Sequence, residues 1–209
     1  SIKVTNSDGL NICYKDIDPT KSTQIITIDE NYQSNDYVDI MFVIDATGSM
    51  GDEMNYLKTE LSDIIDRVHN AREHLQPRIG MVFYRDKTDN YTVRDFEFDK
   101  NIHNVQKNLN NQFAGGGGDF EEAVDEGLEA AILQKQWKPN ASARLLFLIL
   151  DAPPHHNKQS IEKIQKSCLT AAEKGIKIIP VVASGIDKNT EFLMRFLSIS
   201  TNGTYTFLT

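Results

Sequence analysis

The stretch Met41-Phe42-Val43-Ile44-Asp45-Ala46-Thr47-Gly48-Ser49-Met50 decides the fold. Its apolar half is uninterrupted, which is typical of a central parallel strand covered on both faces, and we predict a strand at 39–44. The strand delivers the carboxylate of Asp45 at its C-terminal end. Thr47 and Ser49 follow at two-residue spacing, so an extended turn points both hydroxyls the same way, and the glycine between them permits the bend. One carboxylate and two hydroxyls are therefore predicted to share one small volume.

Strand-like and helical segments alternate along the rest of the chain. The further strands are predicted at 78–84, 91–98, 145–150, 176–183 and 205–208. The helices are predicted at 52–73, 101–113, 121–137, 161–174 and 190–198. Only six residues separate the strands at 78–84 and 91–98, too few for a helical crossover, so this pair should form an antiparallel hairpin at the sheet edge. The pattern predicts a doubly wound, Rossmann-like α/β sheet that is mostly parallel.

Residues 1–35 differ from the rest of the chain. They are rich in Asn, Asp, Ser and Thr and lack a long amphipathic period, although strands are predicted at 24–28 and 12–14. We interpret 1–35 as an N-terminal extension or the tail of a preceding domain, and 36–209 as the main domain. The chain begins with Ser1 and not with methionine, so we expect it to be part of a longer polypeptide.

The composition disfavours several classes of partner. The 209 residues carry a net charge of -8, whereas nucleic acids and anionic membrane surfaces need a basic protein surface. No apolar run approaches the ~20 residues that span a bilayer, so we expect no membrane insertion. The two cysteines, Cys13 and Cys168, do not form a disulfide framework, and Cys168 is predicted to be a buried apolar side chain. The compartment stays open, since cytoplasmic and extracytoplasmic locations both fit.

A second apolar strand, at 145–150, ends in Asp151 just as the first ends in Asp45. In an open α/β sheet the loops after the C-terminal strand ends converge where the strand order reverses, and ligands bind there. The two carboxylates and the hydroxyls of Thr47 and Ser49 are hard oxygen ligands, which suit Mg²⁺, Mn²⁺ or Ca²⁺. The residues therefore predict a site for a hard divalent cation.

The segment Asp45-Ala46-Thr47-Gly48-Ser49 resembles the Asp-x-Ser/Thr-x-Ser signature of von Willebrand factor type A domains, which opens their metal-ion-dependent adhesion site. The resemblance covers about 39–208 and includes the edge hairpin, a glycine-rich second loop and an aspartate after the fourth strand. It implies a six-stranded sheet with one antiparallel edge strand and helices on both faces. It also implies metal ligation by Asp45, Thr47, Ser49 and Asp151, with Mg²⁺ as the first choice of ion.

The second loop departs from the family pattern. Many members place a threonine there as a direct ligand, whereas this chain has four glycines, at 115–118, followed by Asp119 and Phe120. Phe120 takes the position of the threonine, so Asp119, one residue earlier, is the candidate second-loop ligand. A directly bound Asp119 would neutralise more of the ion's charge, tighten metal binding without a partner and weaken the attraction for an incoming acid.

The resemblance implies a non-enzymatic, protein-binding (adhesion or interaction) module, whose divalent cation completes its shell with an aspartate or glutamate of a partner protein. Two alternatives use the same residues. An enzyme could use the aspartates with Mg²⁺ for phosphoryl transfer, although the sequence shows no nucleophile with an adjacent base and no phosphate-binding loop. The chain could also be a structural scaffold domain of a larger protein, with a vestigial metal site.

Simpler interpretations apply to several nearby residues. Ser49 could cap the helix that follows it. His155 and His156 are predicted to lie in a solvent-exposed turn, since adjacent histidines without a partner at ligand spacing are a weak metal signal. Arg85 and Asp86 are predicted to form a local ion pair in the hairpin, with contact to a partner near the rim of the site as the alternative.

Overall fold

A computed structural model describes residues 2–5, 11–15, 18, 20–23, 25, 35–70, 75–118, 120–183 and 186–207. The strands are β1 (Ile2–Thr5), β2 (Asn11–Lys15), β3 (Asn35–Asp45), β4 (Gln76–Tyr84), β5 (Val93–Asp99), β6 (Ala141–Leu150), β7 (Lys177–Val182) and β8 (Thr206–Phe207). The helices are α1 (Gly51–Asn70), α2 (Ile102–Asn110), α3 (Val124–Glu129, continued by a π-helical turn at Ala130–Gln134), α4 (Lys158–Lys174) and α5 (Lys188–Ser200). Of the helices in the described ranges, none is long and apolar enough to cross a membrane.

Six strands form one sheet in the order β5-β4-β3-β6-β7-β8. β5 runs antiparallel to β4, and the other neighbouring strands are parallel. This confirms the predicted doubly wound α/β sheet with one antiparallel edge strand. β1 and β2 form a separate antiparallel pair, and β2 confirms the strand predicted at 12–14. The strand predicted at 24–28 lies outside the described residues except for Ile25.

The central strand β3 is apolar on both faces, and its alternating side chains enter two cores. Met41 and Val43 pack with side chains of α3, α4 and α5, a core that also contains Cys168 as predicted. Phe42 and Ile44 pack on the opposite face with α1 and α2. Helices therefore cover both faces of the sheet. The loops that follow β3 and β6, which are neighbouring parallel strands, emerge side by side at the C-terminal edge.

The helix predicted at 121–137 begins later, at Val124. Glu121 and Glu122 precede it, because the backbone of Glu122 pairs with the loop after β6. The N–H of Glu122 donates to the carbonyl of Pro153 over 2.8 Å. This pairing brings the end of the glycine-rich loop to the same edge of the sheet as the loops after β3 and β6.

Candidate metal centre

The turn after β3, which we call the first loop (45–49), folds back on the carboxylate of Asp45. Oδ1 of Asp45 accepts hydrogen bonds from the backbone N–H of Thr47 over 2.9 Å and from its hydroxyl over 2.6 Å. The hydroxyl oxygens of Thr47 and Ser49 are 3.2 Å apart. The structure thus brings together the three residues that the sequence placed in the first loop. Ser49 lies inside a 3₁₀ turn (Gly48–Met50) and not at its N-cap position.

The carboxylate of Asp45 is fully buried, and its electrostatic environment is unusual. Burial raises its pKa to about 7; the bonds from Thr47 oppose the rise, and the charge of Asp151 adds to it. Oδ2 of Asp45 has no hydrogen bond of normal geometry from the described residues, although the Tyr84 hydroxyl is close enough to lower the pKa slightly. Oδ1 of Asp151 is likewise buried, with no hydrogen-bond partner in the described part of the chain. Such a pair of carboxylates is stabilised by a cation.

The second loop, which is the glycine-rich stretch 115–118, lies directly against the first. The N–H of Gly115 donates to the carbonyl of Ala46 over 3.0 Å, and the N–H of Gly48 donates to the carbonyl of Gly116 over 3.1 Å. Gly116 has a φ of +83°, which residues with side chains rarely adopt, and this explains a glycine there. Asp119, the predicted second-loop ligand, lies outside the described residues, so its role stays a prediction.

The hairpin loop between β4 and β5 (85–92) supports the second loop. Oδ2 of Asp89 accepts hydrogen bonds from the N–H of Gly117 over 2.9 Å and from the N–H of Asp86 over 3.1 Å. The guanidinium of Arg85 donates to the carbonyl of Phe113 over 2.7 Å, just before the glycines. The predicted ion pair between Arg85 and Asp86 is therefore wrong, because the Asp86 carboxylate instead contacts Thr88 and His155.

The third loop, which begins at Asp151, is tied to the hairpin loop by a histidine. Nε2 of His155 lies 2.8 Å from Oδ1 of Asp86, and only 15% of the His155 side chain is exposed. The prediction of a solvent-exposed turn is wrong for His155, because this contact draws the ring inward. It is right for His156, which is 56% exposed and whose Nδ1 lies 2.7 Å from Glu121.

Two buried groups at the site were not predicted. Tyr84 ends β4 directly beside Asp45 in the register of the sheet, and burial raises the pKa of its hydroxyl well above the usual value. The charges of Asp45, Asp151 and Glu122 raise it further, so three carboxylates lie around one phenol. The signal for Tyr84 was available, since one predicted strand ends at Tyr84 and the other ends at Ile44, directly before Asp45. Nothing in the sequence distinguishes the buried Glu122 from the acid before it.

The donor set fits a hard cation only if the hydroxyls take part. In the described ranges, no group of three or more His, Cys, Asp or Glu side chains could hold a metal ion. The buried oxygens of Asp45 and Asp151 and the hydroxyls of Thr47 and Ser49 are, however, the hard oxygen donors that Mg²⁺ and Ca²⁺ take in proteins. These residues fit a divalent cation, with Asp119 as the further donor that the sequence predicts.

The region that contains these loops matches a known family. A model of the von Willebrand factor type A domain matches residues 39–209, which include the whole six-stranded sheet except the start of β3. The chain belongs to the von Willebrand factor type A family. The resemblance seen in the first loop is thereby confirmed, and membership of the family indicates a protein-interaction module.

Two curated proteins are similar to this chain at low identity. The alpha-protein kinase vwkA of Dictyostelium discoideum is 24% identical over 172 residues, covering 82% of this chain and 27% of that protein. The putative ariadne-like RING finger protein R811 of Acanthamoeba polyphaga mimivirus is 26% identical over 161 residues, covering 69% of this chain and 16% of that protein. The chain thus spans less than a third of the length of either relative.

Solved structures share the type A fold. The pilus adhesin SpaC from Lactobacillus rhamnosus GG in its open conformation superposes with a TM-score of 0.62 at 13% identity, covering 85% of this chain and 28% of that one. Proximal thread matrix protein 1 from the mussel byssus superposes with a TM-score of 0.60 at 17% identity, covering 82% of this chain and 41% of that one. At these identities the likeness establishes the fold alone.

Proposed function

We propose that this type A domain binds a partner protein through a divalent cation and catalyses no reaction. The observation that carries the proposal is the state of Asp45. Its carboxylate is fully buried, and one oxygen accepts hydrogen bonds from Thr47. The other oxygen has no hydrogen bond of normal geometry from the described residues. A carboxylate in this state is strongly stabilised by a nearby positive charge. The interaction role of the family supports binding as the outcome.

Five residues would hold the ion: Asp45, Thr47, Ser49, Asp119 and Asp151. Mg²⁺ is the ion proposed first, because hard cations prefer carboxylate and hydroxyl oxygens, with Mn²⁺ and Ca²⁺ as alternatives. When bound, the ion supplies a positive charge that attracts an aspartate or glutamate of the partner. The chain itself supplies orientation: Thr47 fixes one oxygen of Asp45, and two backbone hydrogen bonds fix the first loop to the second.

Calorimetric titration with Mg²⁺ and Mn²⁺ tests the proposal without a partner. We expect saturable binding to the wild type, no detectable binding to Asp45→Ala and weaker binding to Asp119→Ala. Asp63→Asn is the control, because Asp63 is an exposed acid on α1 that pairs with Arg67 away from the strand ends. Wild-type protein that is folded but binds neither ion would overturn the proposal, as would equal binding by Asp45→Ala.

The enzymatic alternative is tested with the same proteins. The name of the relative from Dictyostelium describes a whole protein of which this chain matches 27%, so kinase activity is not proposed here. Incubation with Mg²⁺ and a generic phosphate ester such as p-nitrophenyl phosphate should give no turnover above buffer. Turnover that disappears in Asp45→Ala would replace the binding proposal with phosphoryl-transfer chemistry.

A further inference from the structure

Two phenylalanines stand exposed on either side of the second loop. Phe113 is 68% exposed and Phe120 is 63% exposed. The backbone of 116–118 between them is also exposed and carries no side chains. The first loop lies against this stretch through the hydrogen bond from Gly48 to Gly116. Along the chain the two phenylalanines therefore flank an accessible backbone segment that contacts the first loop of the candidate metal centre.

The position of Phe113 is fixed by its neighbours. Its carbonyl accepts the 2.7 Å hydrogen bond from Arg85, which fixes the backbone at this point. Nζ of Lys58 lies 4.4 Å from the centroid of the ring and donates to the carbonyl of Asn110, so the ammonium packs on the ring at the surface. Large apolar side chains that remain exposed beside a binding site are typical of a contact surface, because they gain stability when a partner removes them from water.

We propose that Phe113 and Phe120 form an apolar rim that contacts the residues flanking the partner's acid. This inference rests on the proposed function, because the acid is taken to bind at the neighbouring cation. The partner segment is therefore a single aspartate or glutamate with a large apolar side chain next to it. The acid supplies the ionic contact, and the apolar neighbour supplies contact area on the rim.

The acidic side chains beside the first loop favour a single acid over an acidic run, since the cationic Lys58 on the rim is already engaged with the Phe113 ring and the carbonyl of Asn110. Asp52 and Glu53 open α1 immediately after the first loop, and Glu121 follows Phe120 in the chain. Once one carboxylate has reached the cation, these side chains repel further acids. They do not oppose apolar contacts with the rim. The surface is thus matched to an acid flanked by apolar residues.

The test compares two fluorescein-labelled peptides, Gly-Phe-Glu-Phe-Gly and Gly-Ser-Glu-Ser-Gly, by fluorescence anisotropy and NMR titration in saturating Mg²⁺. We expect the phenylalanine peptide to bind about tenfold more tightly, the size expected for burying one aromatic ring. The double variant Phe113→Ser, Phe120→Ser should lose this preference. Phe192→Ser is the control, because Phe192 is 73% exposed but lies on α5.

The outcomes separate this inference from the proposed function. If calorimetry shows that the wild type binds no Mg²⁺, the proposed function fails. If Mg²⁺ binds but the two peptides bind equally, or neither binds, the apolar rim is wrong while the metal centre stands. A preference that persists in the double variant, or that is lost only in Phe192→Ser, also overturns it. Unchanged Mg²⁺ binding by the double variant confirms that it is folded.

Discussion

Strand β3 carries a fully buried aspartate near each end of its apolar run, and their surroundings are opposite. Asp39 is satisfied on both oxygens: Arg78 donates over 2.8 and 2.7 Å, and the N–H of Lys138 donates over 2.7 Å. Asp45, six residues further along, has hydrogen bonds from Thr47 on one oxygen and none of normal geometry from the described residues on the other.

The difference separates a structural charge from one that is available for binding. A buried carboxylate is stable when a cation and hydrogen bonds compensate for its loss of hydration. Asp39 has this compensation within the fold, at the end of the sheet away from the loops. Asp45 has a raised pKa and a second carboxylate, Asp151, nearby. We propose that a divalent cation supplies the compensation that Asp45 lacks.

The largest expected effect comes from replacing each aspartate by asparagine in metal-free buffer. Asp39→Asn should lower the free energy of unfolding by about 3–5 kcal/mol, because it leaves the largely buried Arg78 without its counter-charge. Asp45→Asn should leave the free energy of unfolding unchanged or raise it, since Asp45 has no cationic partner among the described residues. Urea unfolding with a chelator present measures both. Equal losses in the two variants would contradict the comparison by showing that Asp45 is also compensated within the fold.

The next largest effect is a pH dependence of the metal-free protein. Because the pKa of Asp45 is raised from 3.8 to about 7 in the folded state, the folded protein binds this proton more tightly than the unfolded chain. The stability that this proton provides is complete below about pH 4 and is lost as the pH rises through about 7. The loss is a few kcal/mol, at about 1.4 kcal/mol per pKa unit.

Asp45→Asn removes this pH dependence, so the variant should become more stable than the wild type as the pH rises from about 5 to 8. Thermal melts of both proteins with a chelator measure the difference, and Asp63→Asn should follow the wild type. A constant difference across this range would show that Asp45 titrates normally. Adding Mg²⁺ should then stabilise the wild type and not Asp45→Asn, because binding to the folded state raises its stability.

The fold and the first loop could be predicted because both depend on local pattern. Continuous apolar runs identify buried strands, and the six-residue gap between the strands predicted at 78–84 and 91–98 requires a hairpin. The hydrogen bonds from Thr47 to Asp45 join residues two positions apart. The spacing of these residues in the sequence therefore already predicts that their side chains meet.

The contacts that hold the loops together could not be predicted, because they join distant residues without any pattern. His155 and Asp86 are 69 residues apart, and Gly117 and Asp89 are 28 apart. A local interpretation therefore gave an exposed turn, which the structure corrects for His155, and an ion pair within the hairpin, which it also corrects. The burial of Glu122 likewise depends on its pairing with the loop after β6, whose residues lie far from Glu122 in the sequence.

A smaller effect is expected at Asp89, a third carboxylate, whose Oδ2 accepts from two backbone N–H groups and which forms no ion pair with a described residue. Asp89→Ala should free the N–H of Gly117 and speed hydrogen exchange across 115–118 with or without metal. It should weaken Mg²⁺ binding about tenfold, as loss of groups that orient metal ligands commonly does. Asp95→Ala is the control, because Asp95 pairs with Lys135 elsewhere. Unchanged exchange would show that the second loop keeps its position without Asp89.

The smallest effect separates two adjacent histidines on the third loop. His155→Ala should lower the free energy of unfolding by about 1 kcal/mol, because it removes a partly buried hydrogen bond to Asp86. His156→Ala should change it by less than about 0.5 kcal/mol, since that ring is more than half exposed. Urea unfolding measures both. If the order is reversed, the contact with Asp86 does not hold the third loop, and Asp151 must be positioned by the backbone pairing between Glu122 and Pro153 alone.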